Sequence, residues 1–572
     1  MAFPSRILVL AAVLAGFPLH AVADRTTVCT ITVNSADERE TFRRNLPDDR
    51  FQFVELVERG RPDWLASACR AGIRCDVLVI SGHFDGGDEF YSDRIDARES
   101  LPVDEMERVS CSDSCPGLFS QLKEVYLFGC NTLNADSLDS VSGEITRSLV
   151  RAGHSQEDAA ALARALNERH AGSNRDRMRQ IFKDVPVIYG FSSKAPLGAT
   201  AGPMLERYLR AGGTAEIGSG RASSKLLGVF GPSSMTVASG ATDDDEQAPF
   251  RRDACRFVDD RLTAAQKLRF VHELFGRDMA EVRLFLDRIE KTVASLSVHD
   301  RLTPDVAAAL DTIVSDRAVR GRYLDFARDA DQPAVRMRMI DLAARIGWLT
   351  PVERHAEVLR MIGERLASRT LDVSDVDLVC ALNRNGELDD VPDALSATHA
   401  GIGAAHAAIL ACLGDRFARA QVLRALTSAR DDDAAFAQVY LRHRPIADAG
   451  ELRGVASAIA RMSNGQAQVR ALDTLAAHGV ADRESLEELT HVYASARTPD
   501  VQRAVAGILI RADYRTLAKD DVVRTLTQHR LKATDGKDLI DALIRRLQQA
   551  STDAAPTQSS GGREAVPRGG AA

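Results

Sequence analysis

Two short apolar runs constrain this chain more than any other feature. The first sets Val77, Leu78, Val79 and Ile80 ahead of Ser81, Gly82 and His83; the second sets Val125, Tyr126, Leu127 and Phe128 ahead of Gly129 and Cys130. Each run is too short for a free-standing helix, rich in β-branched or aromatic residues and closed by Gly, the pattern of a strand buried on both faces. Strands of this kind belong to parallel sheets, whose ligands gather beyond the carboxyl ends of the strands. At that end one run delivers an imidazole and the other a thiol. On adjacent strands the two would form a base beside a nucleophile.

The rest of the chain supplies partners for such a sheet. Residues 27–33, 51–57 and 185–191 read as further strands. Helical patterns at 62–70, 103–109, 140–152, 157–182 and 200–212 fall between or after them, the last stopped by Gly212 and Gly213. Strands alternating with helices predict an α/β domain over residues 24–230, a mostly parallel sheet flanked by helices. Ser, Gly, Thr and Asp then dominate 231–250, the composition of an acidic connector. Residues 251–550 are helical in pattern and repetitive: the apolar sets at Val439 and Ile446 return near Leu472 and Val480, offset by 33 to 34 residues. Tandem helix pairs at that period predict an all-α solenoid, whose extended surface suits binding of a protein partner. The tail, 551–572, has the composition of a disordered segment.

Length and charge narrow the field. At 572 residues more than one core is required. A net charge of −8 gives no basis for nucleic-acid binding. Arg6, the apolar run that follows it and Ala21-Val22-Ala23 form a secretory signal over residues 1–23, with Asp24 as the first mature residue. No later stretch is long and apolar enough to span a bilayer. An exported, periplasmic or secreted protein is expected. Export permits disulfides, and the 9 Cys leave at least one thiol over. Cys69 with Cys75, and Cys111 with Cys115, are near enough in sequence to close small loops. The rival use of Cys111, Cys115 and His83 as a zinc site lacks a second spaced pair, so no metal is expected.

Cys130 follows His83 by 47 residues and is itself followed by Asn131 and Thr132. In order, spacing and strand context this resembles the caspase-like (clan CD) cysteine peptidases, whose His precedes the Cys by about 50 residues. The Cys-Asn-Thr block is similar to that of the CHAT branch, and the helical region resembles HEAT-like repeats. The resemblance implies that Cys130 is the nucleophile and His83 the general base and acid, with no organic or metal cofactor. It also implies an oxyanion held by the backbone N–H groups of Phe84 and Cys130. The family places Gly directly after its His; Phe84 stands there instead, so a narrowed approach to that N–H is expected. Asp85, Asp88 and Glu89 follow His83 and are candidates for contacting a basic substrate side chain. Asn131 and Thr132 are expected to cap the turn. The implied activity is endopeptidase action on a protein or peptide substrate; the alternative is a peptidase-like protein that has lost catalysis and serves as a periplasmic binding scaffold. No Cys-x-x-Cys motif favours a thiol oxidoreductase.

Overall fold

The structure, a computed structural model, describes residues 25–552 except 57–64, 85–86, 94–98, 113–114, 116, 137–141, 152, 170–171, 331, 369, 390–401, 478–479, 481, 513–518 and 533–535. The signal region 1–23, Asp24, Asp85 and residues 553–572 of the tail lie outside the described residues; Ser551 and Thr552 end the last helix. The chain divides into two compact units, Met1–Asp331 with Arg338–Thr350, and Gln332–Met337 with Pro351–Ala572.

The first unit is built on a six-stranded sheet. Its strands are β1 (Thr26–Thr32), β2 (Phe51–Glu55), β3 (Val77–Ser81), β6 (Glu124–Phe128), β7 (Val187–Phe191) and β8 (Met235–Ala238), in the order β2-β1-β3-β6-β7-β8. The first five are parallel, and β8 is antiparallel to β7. Every residue of β3, β6 and β7 is buried, as the unbroken apolar runs require. A small antiparallel hairpin, β4 (Glu89–Tyr91) with β5 (Ser100–Pro102), follows β3.

Alternation along the strands divides the core into two layers. Cys29, Leu78, Ile80, Val125 and Leu127 face one layer, covered by Ala68 of helix Ala66–Arg70, Met106 and Val109 of helix Val103–Cys111, and Met178 of helix Asn174–Ile181. Val28, Val77, Val79, Tyr126 and Phe128 face the other. That side is covered by Phe42 of helix Asp37–Asn45 and by Ala201, Leu205 and Tyr208 of helix Gly198–Arg210.

The stretch expected as a connector, 231–250, instead contains β8. This strand pairs Val237 with Tyr189 at the sheet edge. The strand is only four residues long, set among Ser, Gly and Asp, and at the sheet edge one of the four is buried, so its sequence cannot be told from a loop. The helices that follow belong to the same compact unit. Arg251 of helix Ala248–Val258 donates to the carbonyls of Gln180 and Ser110, and Arg288 of helix Leu286–Ala294 makes a two-pronged ion pair with the buried Glu107, at 2.6 and 2.8 Å.

Cysteine pairing also departs from the local loops expected. The bonds are Cys29–Cys75, Cys69–Cys115, Cys111–Cys255 and Cys380–Cys412, in place of Cys69–Cys75 and Cys111–Cys115. Each cross-links segments that the fold, not the sequence, makes neighbours: Cys29 sits on β1 beside the start of β3, and Cys111 ends the helix on which Ala248–Val258 packs. Cys130 is the only cysteine left free. No helix among the described residues is long and apolar enough to cross a membrane.

In the second unit the periodicity is carried by helix pairs. First helices begin at Asp431, Gly465 and Pro499, each 34 residues after the last; second helices are Ala449–Ala460, Arg483–Ser495 and Lys519–Gln528. Gly465–Ala476 packs on Pro499–Leu509, and Ala449–Ala460 on Arg483–Ser495, so each hairpin buries its apolar stripe against its neighbour. Asp448, Asn464, Asp482 and Thr498 cap the successive helices with their side chains, a signal repeated at each hairpin.

Candidate active site

The parallel register of β3 and β6 sets Ser81 opposite Phe128, and Gly82 donates its N–H to the Phe128 carbonyl at 3.1 Å. Two positions further along each chain stand His83 and Cys130. Both continue the alternation of Val77-Val79-Ser81 and Tyr126-Phe128, and so turn to the face covered by helices Asp37–Asn45 and Gly198–Arg210. There they line one narrow cleft of about 40 Å³, together with Glu38, Ser81, Phe128, Pro196 and Leu197. The imidazole and the thiol are thus brought together at the carboxyl edge of the sheet, where a parallel sheet carries its sites.

Local structure fixes each group. The strand ends approach so closely that a Cβ on Gly129 would lie 2.9 Å from both the Gly82 carbonyl and the Phe84 Cβ. Only Gly fits there. After Cys130 the chain turns through Asn131 in the left-handed conformation (φ 59°), which Asn tolerates better than most residues. The Asn131 N–H donates to Ser193 and its carbonyl accepts from the Asn174 side chain. Thr132 is fully buried; its hydroxyl donates to the Gly129 carbonyl and accepts from the Phe191 N–H. These two residues therefore tie the Cys130 turn to β7 rather than contact a ligand. Replacing Thr132 by Val keeps the shape but leaves the Phe191 N–H unpaired, and should cost about 1–3 kcal/mol in chemical denaturation. A change well under that range would show the hydroxyl to be dispensable.

Cys130 is half-buried, and its sulfur accepts a hydrogen bond from the Ala195 N–H at 3.4 Å. A backbone donor aimed at sulfur becomes a charge-assisted contact when the sulfur is a thiolate. The His83 backbone is clamped to Tyr91 by a reciprocal pair of hydrogen bonds, both 2.9 Å, and its ring lies 5.4 Å from the Tyr91 ring. The His83 Nε2 has no hydrogen-bond partner among the described residues, although the Asp93 carboxylate stands 3.6 Å away.

Phe84 does not obstruct the cleft. Alternation sends its side chain into the opposite layer, fully buried against Phe90 with ring centroids 4.6 Å apart. Among the described residues no hydrogen bond occupies the backbone N–H of Phe84 or of Cys130. The expected acidic contacts are elsewhere. Asp88 is exposed and paired with Arg177 at 3.3 Å, Glu89 lies on β4, and neither lines the cleft.

The carboxylate that does line it was missed. Glu38 is 3% exposed, on the inner face of helix Asp37–Asn45 beside Thr41 and Phe42. It hydrogen-bonds to Ser81, yet its Oε2 has no partner among the described residues. Burial pushes its carboxyl up to about 7, opposed by hydrogen bonds from the helix backbone and Ser81 and reinforced by Asp37. Its only sequence signal was a Glu in the first turn of a charged helix, where solvent exposure is the usual state. Among the described residues no group of three or more His, Cys, Asp or Glu is placed to hold a metal ion. Cys111 and Cys115 are both cross-linked. No family model matches the chain, and no curated protein matches it.

Proposed function

We propose that this chain is an exported cysteine endopeptidase of caspase-like type that works through a His83–Cys130 dyad. The observation that carries the reading is the cleft shared by the two side chains, with Cys130 the one cysteine kept out of a disulfide. His83 removes the thiol proton, and the thiolate attacks a substrate peptide carbonyl. The developing oxyanion is met by the backbone N–H groups of Phe84 and Cys130, which are fixed by the strand ends and need no reorganisation. His83 then gives its proton to the leaving amine, and water activated by the same imidazole releases the acyl group from sulfur. Asp93 is positioned to favour the imidazolium formed between these steps. The four disulfides support an oxidising destination. The tandem helix pairs support a docking role toward a protein substrate or partner.

Alkylation of the folded protein by iodoacetamide tests this. Cys130 should label, and His83→Ala should slow labelling by about 10²-fold. Cleavage of an unstructured protein substrate should vanish in Cys130→Ala. An inert Cys130, or labelling indifferent to His83, leaves the binding-scaffold reading in its place.

A further inference from the structure

The two N–H groups assigned to the oxyanion belong to peptide units whose carbonyl ends are both held. A trans peptide sets its C=O and N–H on opposite sides, so fixing one aims the other. At the end of β3 the His83 carbonyl accepts from the Tyr91 N–H at 2.9 Å. The Gly82 carbonyl, one unit earlier, points the other way, at Gly129 past the end of β6. Tyr91 thus stands on the side away from β6, and the Phe84 N–H is aimed toward β6. Past the end of β6 the Gly129 carbonyl accepts from the Thr132 hydroxyl at 3.1 Å, and that hydroxyl accepts in turn from the Phe191 N–H of β7 at 3.0 Å. Thr132 thus stands on the β7 side, and the Cys130 N–H is aimed toward β3. The two donors converge on the gap just beyond the bond from the Gly82 N–H to the Phe128 carbonyl.

We infer that Thr132 is a positioning residue of the reaction, whose hydroxyl orients the Cys130 N–H toward the oxyanion without touching substrate. The inference rests on the dyad reading and deepens it. The Phe84 unit is aimed by backbone alone, whereas the Cys130 unit is aimed by this one side chain. A Thr hydroxyl carries a single proton. The Phe191 N–H can only donate, so that proton has one direction left, the Gly129 carbonyl, and the orientation is unique. Thr132 is fully buried, and β7 makes room for it: a Cβ on Gly190 would lie 2.6 Å from the Thr132 hydroxyl. When the thiolate adds to the substrate carbonyl, a C–S bond forms and the carbonyl π pair moves onto oxygen. A donor already aimed at that oxygen stabilises it without reorganising. With its carbonyl end released, the Gly129–Cys130 unit is free to rock, and the donor loses that advantage.

The test compares two reactions of Cys130 in the full-length protein. Cleavage of fluorescein-labelled casein passes through an oxyanion; alkylation by iodoacetamide, in which sulfur displaces iodide from a saturated carbon, does not. Thr132→Val keeps the shape and removes the hydroxyl. Its kcat on casein should fall about 10–10²-fold with KM little changed, short of the roughly 10²–10³-fold that follows losing an oxyanion donor outright. Alkylation should fall by no more than a few-fold, so the ratio of cleavage to alkylation drops. Thr132→Ser, which restores the donor, should recover kcat to within a few-fold of the unsubstituted protein. Each protein is assayed under conditions where urea unfolding shows it folded, and Thr132→Ala supplies the same ratio if Thr132→Val does not fold. Equal losses in both reactions, a Thr132→Val kcat within a few-fold of the unsubstituted protein, or a Thr132→Ser kcat as low as that of Thr132→Val overturns the assignment. The two levels separate cleanly. His83-dependent alkylation with an unchanged ratio in Thr132→Val removes this inference alone. Alkylation indifferent to His83, or casein left whole by the unsubstituted protein, removes the peptidase reading and this inference together.

Discussion

Glu107→Gln should destabilise the first unit by about 3–5 kcal/mol, the usual result of deleting one partner of a buried ion pair. Glu107 is 5% exposed on the helix Val103–Cys111, and both its oxygens accept from the Arg288 guanidinium. Burial works to lower the Arg288 pKa, but the charge and hydrogen bonds of Glu107, joined by the charges of Asp104 and Asp287, together hold it above its ordinary value. Gln supplies one acceptor and no charge, so Arg288 stays charged in a site with little water. Asp104 and Asp287 remain as partial compensation, which favours the lower end of the range. Urea unfolding with the disulfides intact reads the effect. The double replacement Glu107→Leu with Arg288→Met should recover most of the loss, because a well-packed apolar pair needs no counter-charge. A single-variant loss below 1 kcal/mol would show that this seam is held by packing and by the Cys111–Cys255 bond instead.

The second large effect runs in the opposite direction. Glu38→Gln should stabilise the protein by roughly 3 kcal/mol above pH 7 and change little below pH 4.5. The sign follows from the carboxyl being pushed up, to about 7 from an ordinary 4.5. The favourable contribution of the neutral carboxyl is complete below the unfolded value and is lost as pH rises through the folded one. Gln never ionises, so it escapes that loss. Thermal unfolding of both proteins at pH 4, 6 and 8 should give curves that coincide at pH 4 and separate toward pH 8. Curves separated by the same amount at every pH would mean that the carboxyl does not titrate in the folded state.

Much of this architecture was legible in the sequence because burial on both faces leaves an unambiguous record. The runs ending at His83 and Cys130 could hardly be anything but interior strands, and the 34-residue rhythm of the later helices follows from each hairpin repeating the same caps and apolar stripe. Side-chain direction was legible only in part. That His83 and Cys130 share a face depends on the register of Ser81 against Phe128, which no local pattern encodes. β8 escaped notice because a four-residue edge strand among Ser, Gly and Asp is too short a run to read. The disulfides escaped because contacts across 32 to 144 residues are set by topology. Glu38 escaped for a different reason: a buried acid among Asp37, Arg39 and Glu40 has the composition of a wetted helix face.

The two-layer core has a consequence for sulfur chemistry. Cys29, Cys69, Cys75 and Cys115 lie in one layer, and Cys111 ends a helix of that same layer, whereas Cys130 opens onto the other. Exchange requires a thiolate to approach a disulfide sulfur directly. Here a hydrogen-bonded curtain of backbone stands between the free thiol and those disulfides, so Cys130 is insulated from the cross-links that hold its own support together. Scrambling then has to wait for the curtain to part.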